Sequence, residues 1–314
     1  MKKAFALASL LVALALILTA CGTQTPSPAT GTPPNNNPTE TPAANPPASN
    51  FDTSKNIAIV AREDGSGTKS AFMEIIGLKG KADPANVIIQ TSTAGILTEV
   101  KGNPAAIAYD SLGYITSDVK ALKIDGVEAT VGNIKNGTYK ISRPLSVVYP
   151  AATLDSDLNS AFFTFLQSSG AQEIIAEEGY VSLIDSASAY TIDGSLSGTI
   201  SISGSTSLAP LMEILAEEFE GLQNNVTVTV GGGGSSAGYN DANDGVSDFG
   251  MISEVFNAEK APDCTSHEVA KDGIAVIVHK DNPLDSISME QLKNIYDLEA
   301  EEADAITKWD ALIP

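Results

Sequence analysis

The sequence predicts an α/β fold of two compact lobes, and three observations carry that prediction. From about Thr53 short apolar strands alternate with amphipathic helices, the pattern of α/β layers. A length of 314 residues with 43% apolar content suffices for two lobes once the ends are set aside. The chain also carries one design twice: a short apolar strand, a Gly/Ser/Thr turn, then a helix. The first copy runs from Ile57 through Arg62 to Asp64-Gly65-Ser66-Gly67-Thr68 and continues with Ala71, Phe72, Ile75 and Ile76 at helical spacing. The second runs from Ile200 through Gly204-Ser205-Thr206-Ser207 and continues with Leu208, Leu211, Ile214, Leu215 and Phe219. Each turn sets backbone amides and hydroxyls at the positive end of a helix dipole, where an oxyanion is readily held. Two such turns face to face make a clamp.

The N-terminus is read apart from the fold. Lys2 and Lys3 precede an apolar run from Ala4 to Leu18, followed by Thr19-Ala20-Cys21. A basic start, a short apolar stretch and small residues before a cysteine describe a lipoprotein signal peptide over residues 1–20, with Cys21 as the lipid-bearing new N-terminus. The run is short for a transmembrane span. Residues 21–52 are mostly Thr, Pro, Asn, Ala and Gly, too poor in large apolar side chains to order themselves, and are expected to form an extended tether.

Within the body, strands are expected at Val87–Gln90, Ala105–Tyr109, Val119–Ile124 and Leu145–Tyr149, with a helix from Ser92 to Lys101. Helices follow from about Ser156 to Ser168 and from Ala171 to Glu178. The Ser/Gly/Thr-rich stretch 188–199 reads as a linker. Beyond it lie the strand Val226–Val230, the glycine run 231–234 opening a helix toward Ala242, a short strand at 248–254, a strongly apolar strand Ile274–His279 and a helix Met289–Tyr296.

Composition narrows function. A net charge of −21 without any basic cluster after the signal argues against nucleic acid and anionic lipid headgroups. It also means that an anion must be recognised by local dipoles and hydrogen bonds, against the long-range field. Cys264 is the one cysteine besides Cys21, so no intramolecular disulfide is available once Cys21 carries lipid. Neither a metal nor a cofactor is expected. The acids of Asp241-Ala242-Asn243-Asp244-Gly245 suggest a calcium loop, but its twelfth position falls on Ile252, and His267 and His279 lack ligand spacing.

The candidate site draws on donors at turns. Arg62 beside a helix start is a bidentate partner for an oxyanion, against the plainer alternative of a pair with Asp64 or Glu63. The glycine run directly after an apolar strand suits a close approach of backbone to something else. A hydrolase reading makes Ser66 a nucleophile with one of the two histidines as base, but the full nucleophile-elbow spacing is missing.

Taken together, Arg62 to Thr68, Gly204-Ser205-Thr206-Ser207, Gly234-Ser235-Ser236, Asp248-Phe249-Gly250 and Val269 to Val278 resemble the substrate-binding lipoproteins of phosphate ABC transporters. Supporting matches are Ala108 to Tyr114, Val119 to Val127 and Ser142-Arg143-Pro144-Leu145. The resemblance spans nearly everything from Asn56 to Leu312 and implies a two-lobed periplasmic-binding-protein-like (type II) fold with a two-strand hinge near Leu145–Tyr149 and Ile274–His279. In that family the segment like 204–207 opens the chain. Here it comes second, so the sequence is expected to be a circular permutant whose usual ends are fused through residues 188–199. One lobe is then expected to join 53–145 with 280–314, and the other to span 146–279.

Carried over residue by residue, the resemblance implies that Arg62, Ser66, Gly67, Thr68, Thr206, Ser207, Ser235 and Glu254 contact phosphate, with Asp64, Ser205 and Ser236 in support. Glu254 departs from the arginine or aspartate common in the family; it is expected to accept a hydrogen bond from the protonated oxygen of hydrogen phosphate, which sulfate lacks. The implied protein is a monomeric, lipid-anchored phosphate receptor on the extracellular side, delivering its ligand to an ABC permease and catalysing nothing. Alternatives are another tetrahedral oxyanion such as sulfate or molybdate, a surface sensor or adhesin, and a serine hydrolase or phosphatase.

Overall fold

The computed structural model describes residues 51–300 and 304–313, so the signal, Cys21 and nearly all of the tether lie outside the described residues. In chain order the elements are β1 (Ala58–Arg62), α1 (Gly67–Ile75), β2 (Ile88–Gln90), α2 (Thr93–Gly102), β3 (Ala106–Ser111), β4 (Val119–Ala121), β5 (Lys123–Ile124) and α3 (Val131–Lys135). They continue with β6 (Ser142–Pro150), α4 (Asp157–Leu166), α5 (Ser169–Glu177), β7 (Gly198–Gly204), α6 (Ala209–Leu222), β8 (Val226–Gly231) and α7 (Ser235–Asn243). The last are β9 (Phe249–Ile252), β10 (Cys264–His279), β11 (Ser286–Ile287) and α8 (Met289–Tyr296). Serine and threonine start most of the helices for one reason: Ser66, Ser92, Thr130, Ser156, Ser168 and Ser288 each accept a first-turn amide that has no partner inside the helix.

The main sheet runs β2-β1-β3-β10-β6-β9-β7-β8, with β4 added on β10. At one end β1 lies parallel between β2 and β3; at the other β7 lies parallel between β8 and β9. Each parallel triplet is a strand-turn-helix unit repeated, which is why the two turns recognised in the sequence sit at equivalent edges. The strands β6 and β10 join the triplets. β10 pairs antiparallel with β6 from Cys264 to Gly273 and with β3 from Ile274 to Val278, so it crosses from one lobe to the other.

Two aromatic cores flank the crossing. In one, Phe72 stacks on Tyr109 with ring centroids 3.9 Å apart, Tyr296 meets both edge-on, and Trp309 donates its indole N–H to the Ala105 carbonyl. In the other, Phe162, Phe165, Phe219 and Phe249 pack among Leu208, Leu211, Met212 and Leu215. No helix among the described residues is long and apolar enough to cross a membrane.

The structure departs from the sequence reading in places. β10 begins at Cys264, ten residues before the expected Ile274, because its first half is polar: it pairs with β6 alone and stays partly open to solvent. The crossing therefore falls where Arg143 faces Asp272 in the ladder, just ahead of Leu145 and Ile274. The expected strand Val119–Ile124 is two strands, β4 on β10 and β5 on β11 in a separate small sheet. Residues 198 and 199, expected in the linker, open β7.

Candidate functional site

Arg62 ends β1, one of the parallel strands whose carboxyl ends open onto the cleft between the lobes, where α/β sheets place ligands. The residue is 1% exposed and its planar fork donates four hydrogen bonds. Nε donates to the Gln90 carbonyl at 3.3 Å, Nη1 to Thr93 Oγ1 at 3.4 Å, and Nη2 to the Thr91 carbonyl at 3.2 Å and to Thr206 Oγ1 at 3.1 Å. The pairing with Asp64 or Glu63 weighed from the sequence does not form; Asp64 turns outward and meets Lys69 Nζ at 2.7 Å. All of Arg62's partners are neutral oxygens, so the guanidinium keeps its charge uncompensated. Burial lowers its pKa, and nearby Asp110 works against that shift.

Around it the expected hydroxyls converge from both lobes. Thr68 Oγ1 lies 2.9 Å from Ser207 Oγ, and Thr93 Oγ1 lies 3.4 Å from Thr206 Oγ1 and 3.3 Å from Ser207 Oγ. Thr206 also accepts at its carbonyl from the Tyr114 hydroxyl at 3.1 Å. Ser205 supports this turn, its Oγ accepting from the amides of Ser207 and Leu208.

The third turn closes the ring. Gly234 caps α7 without a side chain, so the first amides of that helix point at the facing turn of α1, and Ser236 N donates to the Gly65 carbonyl at 3.0 Å. Ser235 Oγ accepts from Ser253 N at 3.0 Å and lies against Gly67. A Cβ on Gly67 would run into Ser235 Oγ and come within 2.8 Å of Ser253 Oγ; only glycine lets the two lobes meet there. Ser66, 2% exposed, caps α1 through Lys69 N.

Glu254 stands slightly apart. Its Oε1 accepts from Lys260 Nζ at 2.6 Å, and that ammonium lies 5.2 Å from the Tyr239 ring centroid. Glu254, Lys260, Asp64, Ser66, Lys69 and Asp83 line a cavity of about 520 Å³ beside the ring of donors.

Four contributors were not singled out from the sequence. Thr93 follows β2 and opens α2, a third copy of the strand-turn-helix design, and that repetition was the available signal. Tyr114 and Ser253 act through contacts no local pattern announces. Asp110, at the end of β3, is fully buried, and burial pushes its carboxyl up to about 8. The serine-hydrolase constellation does not assemble: His267 packs edge-on against Phe163, and His279 Nδ1 accepts from Asp281 N. Among the described residues no group of three or more metal-ligating side chains occurs.

A clamp of two lobes, with a buried arginine, hydroxyls and four helix starts meeting at one point, can hold a small oxyanion by hydrogen bonds alone. The chain belongs to the PBP superfamily, whose domain matches residues 49–169 and 189–314, and within it to the family of the PstS proteins. It is 35% identical over 272 residues to phosphate-binding protein PstS 2 of Streptococcus pneumoniae, covering 84% of this chain and 90% of that one. A crystal structure of a phosphate-binding protein of a phosphate ABC transporter from the same organism matches with a TM-score of 0.66 at 35% identity, over 82% of this chain and 100% of that chain. Phosphate-binding protein PstS of Bacillus subtilis is 34% identical, but over 132 residues only, 41% of this chain and 42% of that protein.

Proposed function

We propose that the protein is an extracytoplasmic receptor for inorganic phosphate that delivers its ligand to an ABC import permease and performs no chemistry on it. The observation that carries this reading is the meeting of Arg62, Thr68 and Thr93 with Thr206 and Ser207 across the cleft, at 2.9 to 3.4 Å. Closure of the lobes thus brings donors from both around one small ion. The ligands are Arg62, Ser66, Gly67, Thr68, Thr206, Ser207 and Ser235, held in place by Asp64, Ser205 and Ser236. Glu254, at the cleft wall, accepts a hydrogen bond from the protonated oxygen of hydrogen phosphate. The names of the relatives support phosphate and the permease as partners.

The remaining parts of the reading follow the sequence. Cys21 carries the lipid anchor, the chain is a monomer, and the order of the two halves is permuted. The lobes are 53–145 with 280–314, and 146–273, with Ile274–His279 of β10 joining the first.

Calorimetric titration of the purified protein tests the function. Phosphate is expected to bind one to one, with sulfate and molybdate at least a hundredfold weaker. Arg62→Ala should abolish binding, while the far-ultraviolet spectrum stays that of the wild type. Equal affinity for sulfate, or undiminished binding by Arg62→Ala, sinks the reading. Unaltered phosphate-over-sulfate preference in Glu254→Gln would remove Glu254 from it.

A further inference from the structure

Asp110 and Arg62 stand at the same level of two adjacent parallel strands. The ladder pairs Ala58 with Ala106 and Ile59 with Ile107; counting on, Arg62 falls opposite Asp110. Alternation puts both side chains on the sheet face that carries Val60, Ala106 and Ala108 against α2. Two opposite charges, 1% and 0% exposed, would be expected to pair, yet they form no ion pair. Arg62 spends its donors on neutral oxygens of Gln90, Thr91, Thr93 and Thr206. One oxygen of Asp110 accepts from the Ser111 amide at 2.9 Å; the other, Oδ2, is buried with no hydrogen-bond partner among the described residues.

The neighbours leave this couple to itself. From β6 and β10, Arg143 and Asp272 face Asp110, but they neutralise each other at 3.1 Å, both fully buried. From β3 and the turn after it come Tyr109, whose hydroxyl accepts the Arg62 amide, and Tyr114, committed to the Thr206 carbonyl; burial holds both phenols neutral well above neutral pH. Glu63, the residue after Arg62, adds a weaker attraction to the guanidinium, so the local sum is set chiefly by Arg62 and Asp110. An ionised Asp110 cancels the charge that attracts an oxyanion. A protonated Asp110 leaves it whole.

We infer that Asp110 is a proton-linked specificity residue, ionised as the counter-charge of Arg62 in the open protein and protonated when the closed cleft holds a dianion. Capture of the anion thus takes up a proton at the Asp110 carboxyl, and the proton does for Asp110 what the ligand does for Arg62. The raised carboxyl described above agrees with this, since closing the cleft removes the water that would solvate a carboxylate. The inference rests on the oxyanion reading of the site.

The test is calorimetric titration of the protein with inorganic phosphate from pH 7 to 9, in buffers of differing ionisation enthalpy, which counts protons exchanged on binding. Phosphate's own ionisation contributes equally to wild type and to Asp110→Asn, so the difference between them belongs to Asp110. Wild type is expected to take up a larger fraction of a proton than the variant. Asp110→Asn, a permanent mimic of the neutral acid, should bind more tightly, by about tenfold at pH 9. Asp110→Thr serves as a second uncharged variant should the first fail to fold. Identical proton counts, or loss of binding by a folded variant, overturn the role of Asp110. Absence of phosphate binding by wild type overturns instead the reading of the site.

Discussion

The hydroxyls of Thr68 and Ser207, 139 positions apart in the chain, meet at 2.9 Å in the buried cleft. Each stands near the start of its helix in one copy of the repeated turn, so the contact is the point where the two copies become one site. Thr68→Val and Ser207→Ala should each weaken phosphate binding about tenfold, the scale of one net hydrogen bond to a charged group. Calorimetry on the double variant should show a loss smaller than the sum, because either single change already breaks the shared contact. Fully additive losses would mean that the two hydroxyls act separately.

Gly67 gives a prediction about closure. Gly67 is the first residue of α1 and its φ is not positive, so its backbone admits alanine and Gly67→Ala should not lower the melting temperature. Its Cβ nevertheless falls on Ser235 Oγ across the cleft. Phosphate affinity should drop a hundredfold or more, and small-angle scattering should show the same radius with and without phosphate, where wild type contracts.

The crossing strands are tied by Arg143 and Asp272, whose side chains are each 1% exposed. Arg143 also donates to the Ser253 carbonyl at 3.0 Å, linking the crossing to the turn that holds Ser235. Removing one partner leaves a buried charge without compensation, so Asp272→Asn should cost about 3–5 kcal/mol in urea unfolding. The double change Arg143→Met, Asp272→Leu should recover most of that loss. A single variant as stable as wild type would show that the pair is not desolvated in solution.

Asp110 also makes stability depend on pH. Its carboxyl, at about 8 in the folded protein, lies above the unfolded value of about 3.9, so the folded state binds more protons between those values. Stability contributed by this group is therefore full below pH 4 and lost as pH rises through 8, with a slope of at most about 1.4 kcal/mol per pH unit. With saturating phosphate, which keeps the cleft closed, Asp110→Asn should flatten the pH dependence of urea unfolding between pH 5 and 8.5. An unchanged slope would place the carboxyl in water.

Much of this was legible in sequence because it is local. The turns at 64–68 and 204–207 announce themselves by glycine, hydroxyl and helical spacing, and α8 matches its expected span because Ser288 and Gln291 form a capping box within four residues. The first half of β10 was not legible. Cys264 to Glu268 is polar, and only its ladder with β6 makes it a strand. The ion pair of Glu254 with Lys260 needed folded coordinates for a similar reason, since the turn that brings them together carries no charge pattern of its own.

The sequence by itself determined the α/β alternation, the paired oxyanion turns and the residue types that fill them, since propensity, capping and periodicity act over a few residues. Tertiary structure alone decided which groups share the site. Thr93 joined it because α2 starts where β1 ends, and Arg62 and Asp110 became neighbours because β1 and β3 run parallel in one register. Charge coupling and burial depend on distance in space, and across 48 positions of chain only the sheet fixes that distance.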